Sequence, residues 1–358
     1  MRAGYLPLDE EEHDSPEQSG ETNVVIRTEV NARAGLLGNP SDMYGGKVIS
    51  FLINDFSTTV RIWESPLLTF RLHPQHDRTE FSDLADLVAS VSRHGYYGMQ
   101  RVLFAACRRF ADHCQDCGIS LRKANFTMDY ETNIPRQSGL GGSSAVIVAA
   151  LRALMRFYRM PPQVIDPSQL ADLALSVETQ ELAIAAGPQD RVVQAYGGLT
   201  YMDFSGPRGK YKRLDSALLP RFGLAYVTEA LLGSQESGQV HAPVRRRWER
   251  GDPEVRRVMH AIAECAELGL QALRQKNLAE LGRLMDRNFD LRRRLWGETG
   301  LEKHNIRLVE IARAAGFRAK LPGSGGSALI MLEGVGREEA LAQNYLAEGY
   351  VYSPIRAK

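Results

Sequence analysis

The chain has little cysteine. Cys107, Cys114, Cys117 and Cys265 are the only four in 358 residues, too few for a disulfide-stapled scaffold and in keeping with a reducing compartment. Cys114 and Cys117 have the spacing of half a zinc knuckle. No second Cys or His pair follows at a suitable distance, so no metal is expected there. Neither sign of charge is in excess: 44 basic against 43 acidic side chains leave a formal net charge of +1. That balance supplies no global field to hold nucleic acid or a membrane surface. No run approaches the ~20 apolar residues of a membrane span. Residues 1–21 lack the apolar core of a secretory signal and carry Asp9-Glu10-Glu11-Glu12, which transit peptides avoid. They are expected to form a disordered acidic tail, and the chain to be cytoplasmic. No repeat of fixed period is present. What remains, 44% hydrophobic and 24% charged, suggests about two globular domains that handle a small polar ligand in a local pocket.

Glycine, by contrast, is concentrated. The stretch Pro135-Arg136-Gln137-Ser138-Gly139-Leu140-Gly141-Gly142-Ser143-Ser144 lies between a strand pattern and a helix pattern. Ala124, Phe126, Met128 and Tyr130 alternate with Asn125, Thr127 and Asp129, the period of a half-buried strand, and residues 145–158 read as an apolar helix. Glycines let the backbone bend tightly and approach a ligand closely. The amides of Gly141 to Ser144 would then stand free at a helix N-terminus, where the dipole favours an anion. The stretch reads as a phosphate cradle, although a plain Gly/Ser turn accounts for the same composition. It is neither of two common phosphate loops. A Walker A motif fails because Gly46-Lys47 is followed by Val48 and position 41 is Ser. A dinucleotide fingerprint fails at Ser144, where its last glycine should stand.

Along the rest of the chain, residues 24–26 and 29–34 suggest early strands. Leu36-Leu37 running into Gly38-Asn39-Pro40 reads as a strand ending in a turn. That turn carries Asn39, Ser41, Asp42 and Tyr44, which can bind hydroxyls or satisfy one another in an Asx turn. Residues 48–53 and 58–62 alternate as paired strands, and 69–72 adds another. Residues 82–92 and 99–113 have the spacing of amphipathic helices. Asp166 offers a cap to a helix over 169–186 that Gly187 closes, and Pro188 fits the first turn of the next. Asp190 falls in that turn, where the dipole helps keep a carboxylate ionised. Taken locally, Asp190 is a capping acid and Glu178 a solvated one. Residues 199–204 return as a strand, and Gly206-Pro207-Arg208-Gly209 reads as a linker between domains. Beyond it come a strand at 224–227, a mobile polar loop at 234–240 and helices at 253–275, 278–295 and 305–315. A second Gly/Ser loop, Lys320 to Ser327, precedes strands at 328–332 and 350–352, a set that suits a ferredoxin-like α+β layer. Arg245-Arg246-Arg247 and Arg292-Arg293-Arg294 fan round a helix axis, so they read as solvated faces rather than a nucleic-acid patch.

Pro135-x-x-x-Gly139-Leu140-Gly141-Gly142-Ser143-Ser144-Ala145 resembles the second motif of the GHMP kinases, the family of galactokinase, homoserine kinase, mevalonate kinase and phosphomevalonate kinase. Gly142 is one residue more than the usual pattern. The turn after Leu37 resembles the first motif of that family, and Gly323-Ser324-Gly325-Gly326 the third. Within the family the chain is most similar to the plant-type glucuronokinases. That likeness is carried by Leu37-Gly38-Asn39-Pro40-Ser41-Asp42, Gly95-Tyr96-Tyr97-Gly98, Thr132-Asn133-Ile134-Pro135-Arg136-Gln137, Gln189-Asp190-Arg191-Val192 and Asn288-Phe289-Asp290-Leu291-Arg292-Arg293-Arg294. The resemblance implies an α+β fold of two domains with the active site in the cleft between them. A ribosomal-S5-like domain would cover residues 22–207 and a ferredoxin-like domain 208–358. It also implies ATP as cosubstrate, Mg2+ as its metal, and transfer to the anomeric hydroxyl of glucuronate. Galactokinases carry a Glu-His pair where this chain has Asn39-Pro40, which argues against galactose.

The same resemblance implies roles for particular residues. Pro135, Gln137, Ser138, Gly139, Leu140, Gly141, Gly142, Ser143 and Ser144, with Gly323, Ser324 and Gly325, would hold the nucleotide. Ser144 and Glu178 would hold Mg2+, which prefers oxygen ligands, with Glu181 as a competitor. Asp190 would take or orient the proton of the acceptor hydroxyl, and Arg33 would keep Asp190 ionised or grip the acceptor. Asn39, Ser41, Asp42 and Tyr44 would meet the sugar. Arg136 and Arg191 are the candidates for the carboxylate of glucuronate, which a guanidinium can pair bidentately. The rival readings are a kinase for fucose, a heptose or galacturonate, a non-catalytic sugar-and-ATP sensor on the same fold, and a nucleic-acid module. Nothing in the sequence states the oligomeric state.

Overall fold

A computed structural model describes residues 24–73, 77, 98–161, 163–228, 237–332 and 336–358. The acidic tail and the helix expected at 82–92 lie outside these residues. The first half of the chain runs β1 (Ile26–Leu37), β2 (Lys47–Glu64), β3 (Thr69–Phe70), α1 (Gln100–Asp116), β4 (Phe126–Thr132), α2 (Gly142–Phe157), α3 (Pro167–Ser176), α4 (Gln189–Tyr196), β5 (Leu199–Asp203) and β6 (Lys210–Leu214). The second half runs β7 (Phe222–Tyr226), α5 (Ser237–Glu249), α6 (Pro253–Arg274), α7 (Leu278–Leu301), α8 (Lys303–Ala314), β8 (Arg318–Lys320), β9 (Ser327–Met331), α9 (Glu338–Ala347) and β10 (Val351–Ile355).

The first sheet is built on β2. Residues 48–53 and 58–62 were expected as paired strands; they are instead two parts of this one strand, and both pair with β1. Asn54-Asp55-Phe56-Ser57 between them are mostly turn-type residues but lack Gly or Pro and stay extended. The register jumps from Asn31 opposite Ser57 to Arg33 opposite Leu52, and Asn31 Nδ2 donates to the Ile53 carbonyl at 3.1 Å inside the irregularity. On its other edge β2 pairs with β4 through Thr58–Glu64 and with β5 through Lys47–Phe51. β5 in turn pairs with β6, with Asp203 opposite Lys210. Gly206-Pro207-Arg208-Gly209 therefore turns a hairpin within the first sheet. The division expected at 207/208 falls inside that hairpin, and the chain passes to the second sheet after Leu214. A Gly-Pro-x-Gly run suits a tight turn as well as a linker.

The second sheet has the order β10-β7-β9-β8 with every pair antiparallel, the ferredoxin-like arrangement. Helices α6 and α7 pack between the two sheets and join their interiors. α6 begins at Pro253, with Asp252 accepting from the amides of Glu254 and Val255, a favourable start for a helix. Its inner stripe of Val255, Val258, Met259, Ile262, Cys265 and Ala266 is buried, each large apolar side chain contributing roughly 1.5–3 kcal/mol. Cys265, Ala266, Leu273, Leu281 and Met285 share one apolar cluster with Leu37, Ile49 and Phe51 of the first sheet.

Two further expectations change. The helix expected over 169–186 starts on its predicted cap, an Asp166–Gln169 capping box, but is α-helical only to Ser176. A π-turn over Val177–Glu181 follows, a wider winding that is common at functional sites. The polar loop expected at 234–240 lies partly outside the described residues, and from Ser237 onward it is helical. Among the described residues no helix is long and apolar enough to cross a membrane.

Candidate active site

Arg33 lies on β1 just past the register irregularity at Asn31. Arg33 is 4% exposed and organises what lies there. Its Nε and Nη2 donate to the two carboxylate oxygens of Asp190, at 2.5 and 2.7 Å. Its Nη1 donates to the carbonyls of Gly139 and, at 3.1 Å, Pro322. One guanidinium thus joins β1, the first turn of α4 and both glycine-rich loops. A bidentate, charge-assisted pair is among the stronger polar contacts a protein makes.

The two loops interlock. A Cβ on Gly323 would stand 1.8 Å from the Gly139 carbonyl oxygen, so only glycine permits this approach. Ser327 Oγ donates to the Ser138 carbonyl at 2.6 Å, while Ser138 Oγ donates to that of Pro135 at 2.6 Å. Gln137 takes a left-handed conformation with φ of 52°, and Leu140 is buried with its carbonyl accepting from the Arg33 amide at 2.9 Å. Gly141, also left-handed, is the N-cap of α2, and Gly142 is absorbed as the first helical residue. The helical ladder begins with the Ala145 amide donating to Gly141 at 3.0 Å. The amides of Gly142, Ser143 and Ser144 precede it, which leaves them available to an anion. Ser324 is half-buried, and Gly323 and Gly325 are buried beneath it.

Beside Asp190 lies a second buried pair, Arg191 with Glu178. The π-turn directs Glu178 inward, so it is not the solvated acid of the local reading. Arg191 Nη1 also donates to the Gly187 carbonyl at 2.7 Å and stands 3.7 Å from Asp190 Oδ2. Burial, then the neighbouring charge of Arg33, brings the Arg191 guanidinium down to about 9. Asp42 faces Gln189, which donates to it from its backbone amide at 3.3 Å and from Nε2 at 3.2 Å. Burial, then the charge of Asp190, pushes the Asp42 carboxyl up to about 6.

Other expected sugar contacts are used inside the protein. Asn39 Nδ2 donates to Leu321 O at 3.2 Å, and its Oδ1 accepts from Lys320 at 2.5 Å. Ser41 Oγ donates to Lys47 O at 3.1 Å. Ser41 thus closes the turn locally, whereas Asn39 is tied to the second half of the chain rather than satisfied within an Asx turn. Tyr44 lies against Trp248 with ring centroids 5.0 Å apart, its hydroxyl buried and pushed up to about 12 by that burial. Arg136 is half-buried and its charge acts on the Tyr130 phenol.

Two cations were missed from the sequence. Arg292, read as part of a solvated run, is 1% exposed. It donates to the carbonyls of Gly323 and Ser324 at 2.5 and 2.7 Å, and burial lowers it to about 10. The signal was its place four residues after Asn288 on the stripe of Met285 and Phe289. Lys320, equally buried, donates to Gly35 O, Asn39 Oδ1 and Leu321 O, and burial drives its ammonium well below its usual range.

The residues that the resemblance implies for Mg2+ are oxygen donors of the kind it prefers. Ser144 Oγ donates its proton to Gly141 O at 2.9 Å, which leaves its lone pairs for a cation. Glu178 supplies a carboxylate. Glu181, the competitor, is more exposed and lies 3.9 Å from Arg108. No group of three or more His, Cys, Asp or Glu that could hold a metal occurs among the described residues, the Cys114–Cys117 region included. A hydroxyl, one carboxylate, phosphate oxygens and water make an ordinary magnesium shell.

The chain is similar to known proteins along most of its length. Residues 101–198 match the model for the GHMP kinases N terminal domain, and residues 270–350 that for the GHMP kinases C terminal region. A probable glucuronokinase 2 of Arabidopsis thaliana is 42% identical over 349 residues, 95% of this chain and 94% of that protein. Glucuronokinase 1 of the same plant is 40% identical over 94% of this chain and 93% of its own length. The crystal structure of Methanococcus jannaschii mevalonate kinase shares the fold, with a TM-score of 0.66 at 19% identity, covering 94% of this chain and 99% of that one. With both domain models matched and relatives this similar along almost its entire length, the chain belongs to the GHMP kinase family.

Proposed function

We propose that this chain is an ATP-dependent sugar kinase that transfers phosphate to the anomeric hydroxyl of D-glucuronate, releasing the 1-phosphate and ADP in the cytoplasm. The observation that carries the reading is the Arg33–Asp190 pair at the junction of the two glycine loops, with a second buried arginine beside it. The names of the Arabidopsis relatives support glucuronate as the acceptor.

Arg33 holds both oxygens of Asp190 and so aims the carboxylate. Asp190 orients the acceptor hydroxyl and receives its proton as the new bond forms. The free amides at the start of α2, with the third loop packed against them, grip the phosphates of ATP. Ser144 and Glu178 would hold Mg2+, which supplies charge neutralisation on the transferring phosphoryl group. Arg191 presents its fork to the acceptor carboxylate, and Asp42 accepts from a sugar hydroxyl.

The test is a panel of glucuronate, galacturonate, glucose, galactose and fucose with ATP and Mg2+, scored for ADP release. Glucuronate is expected to lead the panel, and a neutral sugar in first place would overturn the acceptor. Asp190→Asn is expected to lower kcat by about 10²–10⁴ while a non-hydrolysable ATP analogue still binds. An unchanged kcat would remove Asp190 from the chemistry.

A further inference from the structure

Arg191 and Glu178 are 5% and 4% exposed and lie in direct contact. Of the other acids whose charge reaches it, Asp190 already has both oxygens engaged by Arg33, and Asp42 accepts from Gln189 twice. Glu178 is therefore the carboxylate that neutralises Arg191. The remaining neighbour of Arg191 is a carbonyl, Gly187 O, and its Nε is buried without an acceptor. Glu178 is also the one carboxylate proposed for the metal. These two uses conflict. A dication on Glu178 would sit beside a guanidinium in a site shielded from water, where like charges repel strongly. A buried arginine stripped of its carboxylate is costly as well. Both conflicts end together if another carboxylate takes the arginine.

We propose that Arg191 exchanges partners on substrate binding. Without acceptor it sits on Glu178 and keeps that carboxylate from the metal. The acceptor's own carboxylate takes the guanidinium fork and frees Glu178 for the metal–nucleotide complex. This rests on the acceptor being a sugar acid, as proposed above, and adds that acidity is sensed at metal loading as well as at sugar binding. A neutral hexose of the same size fills the pocket but leaves Glu178 paired. Coupling of this kind is reciprocal: the metal–nucleotide complex tightens glucuronate by the factor by which glucuronate tightens it.

The experiment titrates Mn2+ with the β,γ-imido analogue of ATP into the wild-type protein, followed by the electron paramagnetic resonance of free Mn2+. It is run alone, with D-glucuronate and with D-glucose, and calorimetry records sugar binding separately. Glucuronate is expected to tighten Mn2+ about tenfold, and glucose to leave it unchanged. Glucuronate that binds without moving the Mn2+ affinity overturns the exchange and leaves the kinase reading standing. Glucuronate that does not bind overturns the acceptor assignment and the exchange with it. Glu178→Gln supplies a second arm that misfolding cannot imitate. Its Arg191 has lost its partner, so metal-free glucuronate should bind several times more tightly than to wild type. Affinity that is unchanged or weaker counts against the exchange.

Discussion

Asp42 carries a carboxyl that folding pushes from 3.8 to about 6, chiefly through burial. Because the folded value lies above the unfolded one, the native state binds the extra proton between those two pH values. Stability is then fully favoured below the unfolded value and falls as pH rises through the folded one, by about 3 kcal/mol at most. Asp42→Asn removes this ionisation, so denaturant titrations at pH 4 and pH 8 should show the variant gaining on wild type as pH rises. A stability difference that does not vary with pH would mean the carboxyl is not held as described. At this scale the residue types were legible: Arg33, Asp190, Glu178 and Arg191 stand out by motif. The partnership of Arg33 with Asp190 was among the expected ones. That Glu178 meets Arg191, and that Arg292 turns inward to two carbonyls, was not, since each depends on how separate segments pack.

Among the elements, the interlocked loops make the sharpest demand. A Cβ on Gly323 meets the Gly139 carbonyl oxygen at 1.8 Å and its carbon at 2.7 Å, and both are rigid backbone. Gly323→Ala should part the loops and weaken binding of an ATP analogue at least about tenfold, since donors misplaced by an ångström lose their ligand. Far-ultraviolet circular dichroism should remain that of the parent; wild-type affinity would show that the contact does not position the loops. Most elements were visible as periodicity and caps: the alternation of β4, the Asp166 box, the Pro253 start of α6. The π-turn at Val177 was not, because its residues are ordinary helix formers. Its winding is set by the need to bring Glu178 inward against Arg191, which stands on the next helix.

On the scale of the whole molecule, Lys320 clasps the two halves. Its ammonium donates to Gly35 and Asn39 of the first half and to Leu321 of the second, without a carboxylate. Lys320→Met takes this donor from Gly35 O and Asn39 Oδ1 and should cost about 3 kcal/mol, read as a lower urea midpoint. Because the apolar core runs unbroken from the first sheet into α6 and α7, the described halves should unfold together. Tryptophan fluorescence and circular dichroism are expected to give coincident transitions; two separated ones would show that the halves are independent. The sequence by itself determined most elements and the glycine-bearing loops, which depend on short-range pattern: side-chain period, turn chemistry and free amides at a helix start. The fold class and the residue types for phosphoryl transfer were legible only through the resemblance of those motifs to a known family. The tertiary structure alone decided that Glu178 meets Arg191, that Asn39 is taken by Leu321 and Lys320, and that Arg292 turns to Gly323 and Ser324. Each of those outcomes joins separate segments, and a buried charge or amide is satisfied by whatever partner the fold brings to it.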